Sequence, residues 1–128
     1  MRILLDTNAY SDWRRSGRWN DVISTADEVL VPTIVLGELR YGFRRSSMGE
    51  ENERKLLQFL DSRAEGILCV GEATSRVYAN LKDFLRNAGT PIPENDVWIA
   101  ALAVESMSSL VTADAHFTNL PQVSRMVG

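Results

Sequence analysis

Apolar and polar positions along the chain alternate between two kinds of segment. Short, nearly unbroken apolar runs at Arg2–Leu5, Val29–Val31, Ile67–Val70 and Leu110–Thr112 have the length of buried strands. Between them, apolar residues recur at helical spacing. The spacing predicts short helices over Ala9–Arg15 and Trp19–Ala26, divided by Ser16-Gly17. A longer one runs from Ile34 to Arg45, with Pro32 closing the preceding strand and Thr33 placed to cap the helix. Glu50–Ala64 follows with Leu56, Leu57 and Leu60 as its inward stripe. Thr74–Asn87 has Val77, Leu81, Phe84 and Leu85 inward and is stopped by Gly89 and Pro91. From Val97 to Val104 every residue is apolar, so this helix is expected inside the fold, with Asn95 or Asp96 at its mouth. His116 and Phe117 begin a short helical turn, and Val123–Val127 reads as a fifth strand.

Strands that alternate with helices imply a mostly parallel sheet of four to five strands with helices on both faces. At 128 residues and 45% apolar, the chain suits one domain over residues 1–128. It has neither a transmembrane run nor a secretory h-region, and a cytoplasmic protein is expected. Cys69 is the only cysteine; it excludes an intramolecular disulfide and, lying in an apolar run, is expected as a buried thiol. One histidine and one cysteine also exclude a zinc cluster built from those residues, so a metal would be held by oxygen.

Four carboxylates stand out by position. Asp6 and Asp114 follow predicted strands, and ligands of parallel sheets bind beyond the carboxyl ends of strands. Asp96 opens the apolar helix and Glu38 lies in the second turn of another, and helices returning to the sheet begin near that same edge. Two of them have ordinary alternatives: Asp96 as a helix cap or dipole partner, Glu38 as a solvated helix residue. Trp13 and Trp19 read as packing residues, and His116 as a local hydrogen-bonding residue. Gathered in one cleft, however, two unit charges about 4 Å apart repel by about 4 kcal/mol at an effective dielectric near 20. Their convergence implies a cation, and oxygen ligands point to Mg²⁺ or Mn²⁺.

The net charge of −3 argues against coating nucleic acid through bulk electrostatics, but the basic residues cluster. Arg14, Arg15 and Arg18 follow Asp6, and Arg40, Arg44 and Arg45 follow Glu38. A divalent ion in an acidic cleft rimmed by arginines suits phosphodiester hydrolysis, the arginines gripping flanking phosphates.

The segments Leu4–Asn8 (LLDTN), Gly37–Gly42 (GELRYG), Pro91–Ala101 (PIPENDVWIAA) and Leu110–Phe117 (LVTADAHF) together resemble the PIN-domain family, in particular the VapC-type toxin ribonucleases of bacterial toxin–antitoxin pairs. They occur in family order and span nearly the whole chain. The resemblance implies a three-layer α/β/α fold and a Mg²⁺-dependent endoribonuclease using Asp6, Glu38, Asp96 and Asp114. Asp6 and Asp96 would be direct metal ligands. Asn8 and Thr112 match polar supporting positions, and Arg40, Arg44 and Arg45 are the candidate RNA contacts. It also implies an RNA substrate, a homodimer, and a cognate antitoxin that inserts a segment near the site. Many relatives carry a basic or polar residue where this chain has Ala113, which touches a substrate contact rather than the metal site. Glu94 is an extra carboxylate in the same loop as Asp96 and is left out of the ligand set. Two rival readings are an Asp6-nucleophile phosphatase, which would want a second aspartate where Asn8 stands, and a non-catalytic protein-binding module.

Overall fold

Leu4 is flanked by Leu30 on one side and Leu110 on the other, and these pairings place the first strand at the middle of the sheet. In the computed structural model, which describes residues 1–126, five strands run in the order β3-β2-β1-β4-β5: β1 (Arg2–Leu5), β2 (Glu28–Pro32), β3 (Gly66–Leu68), β4 (Ser109–Val111) and β5 (Arg125–Met126). Every pairing is parallel, so each strand returns through a crossover. Six helices supply the connections: α1 (Thr7–Ser16), α2 (Asn20–Thr25), α3 (Thr33–Arg44), α4 (Gly49–Ser62), α5 (Glu72–Ala88) and α6 (Glu94–Glu105). A 3-10 turn, Ala115–Asn119, follows β4.

The central strands are hydrophobic because both of their faces are covered. Ile3, Leu4, Leu5, Val29, Val31, Leu110 and Val111 have no exposed surface. Helix α6 is buried nearly all round, from Val97 through Ala103, and packs on α5 and α3. Its alanines at 100, 101 and 103 let neighbouring elements come close. Trp19 is buried, and Trp13 packs with Tyr10 and Phe59 at ring separations of 5.2–5.9 Å. Trp19 therefore packs in the core and Trp13 against it, as expected of both.

Several local expectations are corrected. Helix α6 begins at Glu94 after Pro93, so Asp96 lies inside the first turn and neither it nor Asn95 caps the helix. Helix α3 likewise starts at Thr33, with Pro32 at the cap position. Strand β3 ends at Leu68, and Cys69, beyond the end of an edge strand, is exposed. On α4 the inward aromatic is Phe59 while Leu57 faces solvent, and on α5 Phe84 is exposed. The fifth strand is shorter than expected, and Val127 lies outside the described residues. None of the helices among the described residues is long and apolar enough to cross a membrane.

Candidate active site

The chain leaves β1 toward β2 and β3, then comes back to pair β4 on the other side of β1. The order therefore reverses between β1 and β4, and a crevice opens beyond their carboxyl ends. Asp6 directly follows β1, and Asp114 comes three residues after β4. The backbone N–H of Asp6 reaches the Val111 carbonyl at 3.4 Å, carrying the β1–β4 pairing up to the first acid.

Asp6 turns the chain from strand to helix. Its carboxylate caps α1 by accepting a 2.7 Å hydrogen bond from the Ala9 backbone N–H. Only 4% of the residue is exposed, and this burial pushes its carboxyl up to about pH 6. Hydrogen bonds from Thr112 and Ala9 pull it down, while the charges of Asp114 and Asp96 push it further up. Thr112 is buried, and its Oγ1 accepts from the Asp114 backbone N–H at 2.9 Å. One threonine thus supports both acids at the strand ends.

Glu38 reaches the same place from α3. Its Oε1 accepts a 2.6 Å hydrogen bond from Thr7 Oγ1, and its Oε2 accepts from Asn95 Nδ2 at 3.4 Å. Asp96, in the first turn of α6, is raised above the usual carboxylate range by burial, with the charges of Asp114 and Glu38 acting in the same direction. His116 Nδ1 lies 2.9 Å from Asp96 Oδ2 and 3.1 Å from Asp114 Oδ1. The hydrogen bond to Asp96, together with the charge of both acids, raises the imidazole above its ordinary value.

All four predicted acids are therefore neighbours, although 108 positions of sequence separate the first from the last. Sequence reasoning missed two members of the cluster. Thr7 could have been noticed as the hydroxyl adjoining a strand-end acid; His116 was read only as a local partner, and it does accept that role, its backbone N–H donating to Asp114 Oδ1 at 2.9 Å. The contact to Asp96, twenty residues away, needed the fold.

The remaining candidates lie elsewhere. Asn8 is exposed on α1, and its side chain makes no hydrogen bond among the described residues. Arg40 is held by Glu53 through both Nε and Nη2, at 3.0–3.2 Å. It lines a groove between α3 and α4 with Phe43, Arg44 and Glu50. Arg45, at the C-terminal cap of the helix that carries Glu38, lies over the Tyr41 ring at 5.8 Å. Glu94 is engaged by Tyr78 and Lys82.

The donor set fits a divalent cation. A buried acid held near two others is relieved when a positive charge stands between them. The ligand atoms of Asp96, Asp114 and His116 lie within 4.8 Å of one another. One ion could be shared by those three groups, with Asp6, which caps α1, beside them.

Comparison with known proteins agrees with this architecture. The PIN domain family pattern matches residues 3–123. Ribonuclease VapC4 of Mycobacterium tuberculosis is 36% identical over 93 residues, covering 73% of this chain and 72% of the relative. Ribonuclease VapC2 of Rickettsia felis is 32% identical over 104 residues, covering 80% and 76%. The crystal structure of VapBC2 from Rickettsia felis, bound to a DNA fragment from their promoter, superposes with a TM-score of 0.87 at 29% identity and covers 99% of this chain and 98% of that one.

Proposed function

This chain belongs to the PIN-domain family, among the VapC-type ribonucleases, and from that membership we propose that it is a divalent-metal-dependent endoribonuclease, the toxin of a toxin–antitoxin pair. The observation that carries the reading is the meeting of Asp6, Glu38, Asp96 and Asp114 at the β1–β4 switch point, with Asp6 raised to about pH 6 by burial. An enzyme keeps so costly an arrangement where a cation and a phosphate will share it.

Mg²⁺, or Mn²⁺ in its place, would be held by Asp6 and Asp96, and when bound it would supply charge to offset the phosphate and acidity to water. The protein residues do the rest. Glu38, held by Thr7 and Asn95, and Asp114, held by the turn after β4, accept hydrogen bonds from a water and orient it toward the phosphorus. Thr112 supports both strand-end acids, and Asn8, exposed two residues beyond Asp6, would support the site through a bound water or the RNA rather than through a bond to an acid. Arg44 and Arg45, with Arg40 behind them, bind flanking phosphates of a single-stranded or looped RNA, where bases are open to contact.

The rest of the reading extends the family resemblance. A cognate antitoxin silences the site, two copies of the chain form a homodimer, residues 1–128 act as one nuclease domain, and the protein works in the cytoplasm. The test is incubation of partner-free protein with a mixed pool of structured RNA, in Mg²⁺, in Mn²⁺ and in chelator. Discrete cleavage that chelator abolishes is expected. Cleavage that persists in chelator would overturn the metal-dependent reading.

A further inference from the structure

We propose that His116 is itself a ligand of the divalent ion, through Nδ1 beside Asp96 and Asp114, and that this nitrogen makes the site prefer Mn²⁺ to Mg²⁺. The inference rests on the metal-site reading above and departs from the oxygen-only ligation expected of the sequence.

The geometry delivers the nitrogen inward. His116 is a surface residue with 47% of its side chain exposed, yet Nδ1 faces two carboxylates from different elements, at 2.9 and 3.1 Å; its proton, shared with them here, would pass to solvent as the ion takes its place. Its placement is built. Thr112 Oγ1 holds the Asp114 backbone, Asp114 caps the 3-10 turn by accepting from the His116 N–H, and the next residue, Phe117, is fully buried and anchors the turn. The turn that presents Asp114 therefore presents the imidazole with it, and no other histidine exists in the chain.

The chemistry then discriminates between ions. Mg²⁺ takes oxygen ligands and gives up water reluctantly, whereas Mn²⁺ shares its taste for carboxylates but, as the first ion of the Irving–Williams series, accepts a nitrogen ligand more readily than Mg²⁺ does. A nitrogen donor set between two carboxylates adds affinity for Mn²⁺ while offering Mg²⁺ little.

The test uses partner-free protein and Mn²⁺ or Mg²⁺ alone, without RNA. Pulsed electron paramagnetic resonance of the Mn²⁺-loaded protein is expected to show ¹⁴N coupling from a bound imidazole. In His116→Ala that coupling disappears and Mn²⁺ affinity falls about tenfold or more, while Mg²⁺ affinity, by calorimetry, stays within about twofold. Thermal unfolding of the variant, at an exposed position, verifies that it is folded. Mn²⁺ bound without ¹⁴N coupling, or equal losses of both ions in His116→Ala, would overturn the inference and leave the carboxylate site standing. Failure of folded wild-type protein to bind either ion would overturn the site reading itself.

Discussion

Thr7 Oγ1 donates a 2.6 Å hydrogen bond to Glu38 Oε1, tying the first residue of α1 to the second turn of α3. Asp6, next to Thr7, caps α1, so this one bond holds Glu38 at the start of α1, where its charge acts on Asp96. Thr7→Val keeps the shape and removes the donor. It is expected to cost about 1 kcal/mol of stability and to slow cleavage about tenfold, as losses of supporting hydrogen bonds around metal sites do. Urea unfolding and kcat/KM, measured on the same preparation, check both numbers; an unchanged kcat/KM would detach Glu38 orientation from catalysis.

Why the sequence showed the acids but not all of their supports is a matter of range. Leu4-Leu5-Asp6 and Leu110-Val111-Thr112 announce strands that end in polar groups, because strand burial and turn polarity are written in adjacent residues. Strand order is not local. That β1 lies between β2 and β4, which brings Asp6 beside Asp114, comes from packing over the whole sheet. His116 and Asp96 meet only once that order is set. Errors at boundaries have local causes. Glu94, Asn95 and Asp96 are all suitable first-turn residues, so polarity alone could not show that the helix starts at the first of them. Leu57 and Phe84 sit next to inward residues in their helices, and an apolar side chain on the solvent face is ordinary.

Metal-free protein is expected to lose stability as the pH rises. Asp6 has a carboxyl pKa of about 6 when folded and an ordinary value of 3.8, so the folded state holds more protons between those values. Stability from this group falls through that window, by about 3 kcal/mol in all, and the loss is complete above pH 6. Asp96 is raised in the same sense and adds to the slope. His116 is also raised, so what it contributes is present below its unfolded value of 6.5 and is lost as the pH climbs through its higher folded value. All three therefore favour pH 5 over pH 7.5. Denaturant titrations at those two pH values, with chelator and with Mg²⁺, test this: chelated protein should be the more stable at pH 5, and Mg²⁺ should narrow the difference. A metal-free protein more stable at pH 7.5 would contradict the electrostatic account of the site.

Arg44 makes no ion pair among the described residues, whereas Arg40 is committed to Glu53. The pair Arg44→Ala, Arg45→Ala is expected to weaken RNA binding and to lower the slope of log K against log salt by about 1.4, the share of two contacts to a single strand. Arg40→Ala should change the slope less and the stability of the α3–α4 pairing more. Fluorescence anisotropy across a salt series separates the two, and an unaltered slope in the double variant would place the phosphate path elsewhere.

Glu38, Asp96 and Asp114 leave Asp6 as the most buried acid of the four, and the account holds that its cost to stability is kept for the sake of cleavage. Asp6→Asn tests that claim most directly, because asparagine caps a helix as aspartate does and removes only the charge. The variant should unfold at a higher denaturant concentration than wild type in chelator at pH 7.5, and in Mg²⁺ or Mn²⁺ should cleave RNA more than about 100-fold more slowly, a loss larger than that of any supporting residue. Wild-type cleavage by a well-folded Asp6→Asn protein would contradict the account.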